Sequence, residues 1–164
     1  MLASFGEDIG AMTALVDRAL VLNPNYARGW GISALLRLWA DQPDLAVEHV
    51  NRALRLSPLA KVSPAFLILG AAHFFDQRFE AALPELLRGI QDDPGFPIAY
   101  RLLASCYAHL GRVDDAREIV RWLRSITPVV ISDAGTPRNP KHRELLLSGL
   151  RLAAADANGR ERRS

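Results

Sequence analysis

SPAFLILGAAHFFDQRFEAALPELLRGIQDDP, residues 63–94, decides the fold. Bulky residues at Phe66, Leu69, His73 and Phe79 alternate with small ones at Gly70, Ala82 and Gly89. Two helices with this composition can approach closely, the large side chains filling the gaps beside the small ones. Pro94 ends the second helix, because proline lacks an N–H and disfavours helical geometry in the residue before it. The same unit recurs along the chain. The prolines at 24, 58, 94 and 128 are separated by 34, 36 and 34 residues, and the longer gap places two extra residues in the loop around Leu59 to Val62. Three columns fall into register: Trp30, Phe66 and Tyr100; Ala34, Gly70 and Ala104; Ala46, Ala82 and Ala116.

A helical hairpin repeating every 34 residues with these columns resembles the tetratricopeptide repeat (TPR) family. The resemblance implies an all-α fold, an α-solenoid of helix-turn-helix repeats wound as a right-handed superhelix of about seven antiparallel helices, with a C-terminal capping helix. The expected organisation is a TPR array over residues 1–128, made of a half repeat at 8–24 and full repeats at 27–58, 63–94 and 97–128. An irregular linker at 129–139, a capping helix at 140–155 and a flexible tail at 156–164 follow. Leu123 stands where Ala19, Ala53 and Gly89 are small, and Met12 where the alanine column would continue. The first and last repeats are therefore expected to pack less regularly than the middle ones.

The chain has 164 residues, about half of them apolar, which suits one domain with a substantial core. The net charge of +2, with acids and bases interspersed, gives no footprint for nucleic acid. No apolar run approaches the roughly twenty residues of a membrane span, and MLASFGEDIG shows no signal-peptide pattern. A lone Cys106 fits a reducing compartment, so a soluble, cytoplasmic protein is expected.

In chain order, Ile9, Met12, Leu15, Val16, Ala19 and Leu20 have amphipathic spacing, and by register they form a second helix without its first. The face left bare is an expected contact surface. Helices are expected at 26–40 and 45–56, joined by Asp41-Gln42-Pro43-Asp44, and again at 97–110 and 113–126 with Gly111 as the stop. Asp114 and Asp115 favour the dipole of the helix they open. Gly135, Pro128 and Pro137 make residues 129–139 irregular. Leu145, Leu146, Gly149, Leu150 and Leu152 then supply an apolar stripe for a final helix that covers the edge of the array.

RALVLNPN at 18–25, RALRLSP at 52–58, AHFFDQRFEAAL at 72–83, LGRVDDAR at 110–117 and SGLRLA at 148–153 resemble the C-terminal TPR region of bacterial class III adenylate/guanylate cyclases. In that family the cyclase domain lies upstream, and no part of it is present here, so no catalytic residue carries over. The sequence has Leu59-Ala60-Lys61 where the family has Leu-Asp-Pro.

The residues offer little chemistry. His49, His73, His109 and His142 lack partners at metal-ligand spacing, so no metal or other cofactor is expected. His73 stands in a core aromatic column and is expected to be packed and hydrogen-bonded. Cys106, in a helix interior with no identifiable base, reads as a small filler and not as a nucleophile. Arg160, Arg162 and Arg163 read as solvated charges. No enzyme activity is expected.

What remains is a surface. In TPR arrays the first helix of each repeat lines a concave groove, which here gives partner-binding candidates Arg28, Leu35, Trp39, Leu67, Phe74, Phe75, Arg101 and His109. The competing expectation is that Leu35, Trp39, Phe74 and Phe75 only reach between neighbouring helices. The groove reading implies a protein or peptide partner, or a homo-oligomer, with no role for nucleic acid or membrane. The leading expectation is a non-catalytic interaction or oligomerisation module of a cyclase-like signalling protein. A regulatory or dimerisation segment of a cyclase enzyme, or a free-standing TPR adaptor, are the alternatives.

Overall fold

The computed structural model describes residues 9–58, 64–131 and 137–155. Among them are eight α-helices and no strand: α1 (Ile9–Leu22), α2 (Ala27–Trp39), α3 (Pro43–Leu56), α4 (Ala65–Phe75), α5 (Phe79–Asp92), α6 (Pro97–His109), α7 (Val113–Ile126) and α8 (Pro140–Ala154). The loop at Leu59 to Val62, Gly135, and the tail with Arg160, Arg162 and Arg163 lie outside the described residues.

Local chemistry sets the boundaries. Pro43, Pro97 and Pro140 stand in the first turns of α3, α6 and α8, where a missing N–H costs nothing. Each turn within a hairpin passes through one left-handed residue at equivalent repeat positions: Asp41, Gln77 and Gly111. The next residue in each case returns its N–H to the preceding helix, Gln42 to Arg37, Arg78 to His73 and Arg112 to Tyr107, each at 2.9 Å. This closes the helix end and reverses the chain. Only the third turn uses glycine, so the first two place an L-residue where its Cβ is strained.

The aromatic column has a visible purpose. Trp30 Nε1 donates to the Pro24 carbonyl at 2.9 Å, and Tyr100 Oη donates to the Pro94 carbonyl at 3.0 Å. Each side chain thereby pins the loop that enters its repeat. Arg52 lies 4.3 Å over the Trp30 ring and Arg88 4.0 Å over Phe66, so the outer edge of the column is covered by guanidinium groups.

The pairs α2/α3, α4/α5 and α6/α7 pack as hairpins, and each second helix packs on the first helix of the next pair. Ala46, Ala82 and Ala116 are fully buried at the hairpin crossings, with Val50, Leu86 and Val120 one turn on. A Cβ on Gly70 would sit 2.7 Å from Leu86, which explains the glycine in the Ala34/Ala104 column. Leu123 is fully buried too, so α7 takes a large residue into the crossing without exposing it. In α1 the equivalent face is uncovered: Ala19 is exposed and Met12 and Val16 are half-buried.

Successive first helices touch along one side of the array, α2 with α4 and α4 with α6, more closely than successive second helices do. The crowded side is the inside of the curve. The sequence placed α8 over the edge of the array; in the structure it packs chiefly on α6 and less on α7, and crosses this inner side. The physical cause is the segment after α7. Arg101 donates from Nε to the Val130 carbonyl (2.9 Å) and from Nη2 to the Val129 carbonyl (2.8 Å), drawing the chain back onto the first-helix side.

Candidate functional site

The stripe Leu67, Ala71 and Phe74, at i, i+4 and i+7 of α4, faces the next first helix and not an open groove. Phe74 is 0% exposed and Leu67 is buried, both in the cluster that includes Leu102 and Leu103 of α6. This corrects the expectation that they line a ligand surface. The Phe74 ring contacts Phe79 across the turn at 5.5 Å, Phe75 at 5.4 Å and His109 at 6.1 Å, so it plugs the end of the α4/α5 hairpin. The same stripe in α6 is Arg101, Ser105 and Ala108, and there α8 and its approach segment provide the cover.

Phe75 and His109 do point to the inner side, but α8 sits on them. The His142 ring of α8 stacks on Phe75 with centroids 4.6 Å apart and planes 13° apart. His109 stacks on Phe79 at 5.0 Å, and its Nε2 donates to the Leu145 carbonyl at 2.7 Å. Ser105 Oγ donates to the Leu146 carbonyl at 3.1 Å. At the entry of α8, Asn139 Nδ2 donates to Asp41 Oδ2 at 2.8 Å, while Asp41 Oδ1 lies 3.0 Å from His142 Nδ1. Asp41 belongs to the turn after α2, so the first two turns of α8 touch the C-terminal ends of α4 and α6 and the turn that follows α2. Burial lowers the pKa of Arg101, whose guanidinium is held by the two backbone carbonyls.

The open part of the inner side is α2. Arg28, Ile32, Leu35 and Trp39 recur at i, i+4, i+7 and i+11 and share one face. Arg28 is exposed, Ile32 and Trp39 are 43% and 42% exposed, and Leu35 is half-buried against Ala34 and Ile68. The sequence reading omitted Ile32, which its own helical spacing would have supplied. Beside Trp39 is a hollow lined by Ile9, Thr13, Arg37, Ala40, Gln42 and Arg138, among others. Arg37 pairs with Asp17 at 2.6 Å and donates to Gln42 at 3.1 Å, yet its Nε and the Thr13 Oγ1 are buried without hydrogen-bond partners.

Elsewhere the titratable groups are structural. Cys106 is buried, its Sγ lies 3.1 Å from the Phe79 carbonyl, and burial pushes the thiol up to about 12, which keeps it protonated at neutral pH. His73 is half-buried but its Nδ1 has no partner, so the hydrogen bond expected for it is not formed. Among the described residues no group of three or more His, Cys, Asp or Glu side chains is placed to hold a metal ion, and no helix is long and apolar enough to cross a membrane.

The tetratricopeptide repeat family model matches residues 76–128. MamA and YrrB are among the solved structures that share the fold. MamA matches with a TM-score of 0.64 at 21% identity, over 94% of this chain and 92% of its own. YrrB, described as a TPR protein with an unusual peptide-binding site, matches with a TM-score of 0.61 at 21% identity, over 94% of this chain and 80% of its own. Comparison with curated proteins returns no match. The fold is thus that of a TPR solenoid.

Proposed function

We propose that the chain is a non-catalytic protein-interaction module that holds a peptide or protein segment on the open face of α2. The observation that carries this is Trp39, exposed in register with Arg28 and Ile32 beside a hollow also lined by Arg37, Gln42 and Arg138. An exposed tryptophan flanked by arginine is the composition of a binding hot spot. YrrB is described by its peptide-binding site, which is consistent with this use of the fold. Of the eight residues singled out in the sequence, Arg28, Leu35 and Trp39 form this surface, while Leu67, Phe74, Phe75, Arg101 and His109 support it by packing and by holding α8.

The finer reading is a module within a cyclase-like signalling protein in the cytoplasm, and it rests on the sequence phrases from RALVLNPN to SGLRLA. A cyclase domain encoded in frame upstream of Met1 would support it, and an unrelated domain there would remove it.

The surface is tested by selecting displayed peptides on the wild-type chain and measuring their affinity for Trp39→Ala. The expected loss is tenfold or more, corresponding to a hot spot of roughly 2 kcal/mol. Trp122→Ala, on exposed α7, is the control and should bind as wild type. Peptides indifferent to Trp39→Ala would place the binding surface elsewhere.

A further inference from the structure

The part of the inner side covered by α8 has the construction of a helix receptor. Its contacts with α8 come at His142, Leu146, Gly149, Leu150 and Ala153, at i, i+4, i+7, i+8 and i+11, the anchor spacing of a helix laid in a groove. Leu146, Leu150 and Ala153 are essentially inaccessible to solvent. Two donors of α6, Ser105 Oγ and His109 Nε2, reach main-chain carbonyls in one turn of α8 and so recognise helical backbone whatever its side chains. One position is selected by size. A Cβ on residue 149 would lie 2.0 Å from Ser105 Oγ and 2.8 Å from Ser105 Cα. The second of these is main chain and cannot swing aside, so only glycine lets the two helices meet. The entry clamp is of a different kind: Asp41, which receives Asn139 and His142, is 43% exposed, while His142 is 20% exposed and also stacks on Phe75.

We propose that this face binds an amphipathic helix carrying the pattern Leu-x-x-Gly-Leu-x-x-Ala, that α8 is its resident occupant, and that a partner protein's helix of the same pattern binds by taking the place of α8. The observation that carries this is positional. Phe75 and His109, which the repeat register assigns to ligand-facing positions, hold α8 together with Ser105, one turn from His109 on α6. The receptor elements α4, α6 and the turn after α2 all belong to the array, and α8 joins them through residues 127–139, in which the described residues form no helix. The inference rests on the reading of the inner side as a binding surface, but it uses residues other than the Trp39 face.

The test uses the full chain with Gly149→Val and a fluorescent peptide of residues 137–155. Valine at 149 fits neither the chain's own groove nor that of a second copy, so the variant cannot satisfy its receptor by itself. The wild-type peptide should bind the variant at least about tenfold more tightly than it binds the wild-type chain, because an occupied receptor lowers apparent affinity by its open fraction. A Gly149→Val peptide should bind neither. The double variant Asp41→Ala/His142→Ala, which opens the clamp and spares the glycine contact, should show a smaller gain over wild type. The proposal is overturned if neither variant chain takes up the peptide better than wild type. It is equally overturned if the Gly149→Val chain loses the cooperative melting of the whole array, since α8 would then be an integral part of the fold. Peptides selected through Trp39 should still lose affinity on Trp39→Ala in the Gly149→Val chain, so a failure here leaves the α2 surface standing.

Discussion

At the scale of the residue, the buried polar contacts predict a pH dependence. His49 packs edge-on against Trp30 at 4.9 Å and shares a 2.9 Å hydrogen bond with Ser33, which is buried between α2 and α3. Burial, and after it the charge of Arg37, lower its pKa, with Glu48 and Asp17 opposing. The unfolded chain therefore takes up the proton more readily than the folded one. The stabilising contribution is complete above the unfolded value of about 6.5 and is lost as pH falls through the lowered folded value. The melting temperature should decline between pH 7.5 and 5, and His49→Gln should flatten that decline. An unchanged slope in the variant would assign the pH dependence to other groups.

At the scale of the element, the hairpins stand on their small-residue crossings. Ala82 is fully buried where α5 crosses α4, beside the Gly70 that a methyl group would drive into Leu86. Ala82→Leu should cost roughly 1–3 kcal/mol by overpacking this crossing. In a chain of this size that lowers the melting temperature by about 2–4 °C for each kcal/mol. Leu22→Lys is the informative contrast. Leu22 is a large apolar residue on an equally regular helix, but it is 80% exposed on the uncovered side of α1. Its replacement should stay within about 0.5 kcal/mol of wild type. Thermal melts of the two variants, followed by circular dichroism, check both values, and a large loss at Leu22 would show that the α1 face is covered in solution.

At the scale of the whole molecule, the core is unevenly distributed. One cluster runs from α4 to α8 and includes Phe74, Leu86, Leu102, Leu146 and Leu150, while the smaller one joins α2, α3 and α4 through Ala34, Val50 and Ile68. Because each repeat is stabilised only by its neighbours, the end with the uncovered helix should open first. Hydrogen exchange should show amides of α1 and α2 exchanging faster than those of α5 and α6; uniform protection would mean that the array unfolds as one unit. The sequence alone determined the solenoid, because a 34-residue period with matched large and small columns leaves each hairpin only one way to bury its apolar faces, against the next. It also placed Trp39 on the same face of α2 as Arg28 and Leu35, since that follows from register, but left open whether the ring is exposed or packed between helices. Where α8 lies was decided only in three dimensions. Asp41 meets Asn139 and His142 across about a hundred residues, Arg101 reels in the carbonyls of Val129 and Val130, and Gly149 meets the main chain of Ser105. None of these contacts has a periodicity that a linear pattern can carry. For the same reason Phe74 passed for a groove residue: helical spacing gives the angle at which a side chain leaves its helix, but not which neighbour stands in that direction.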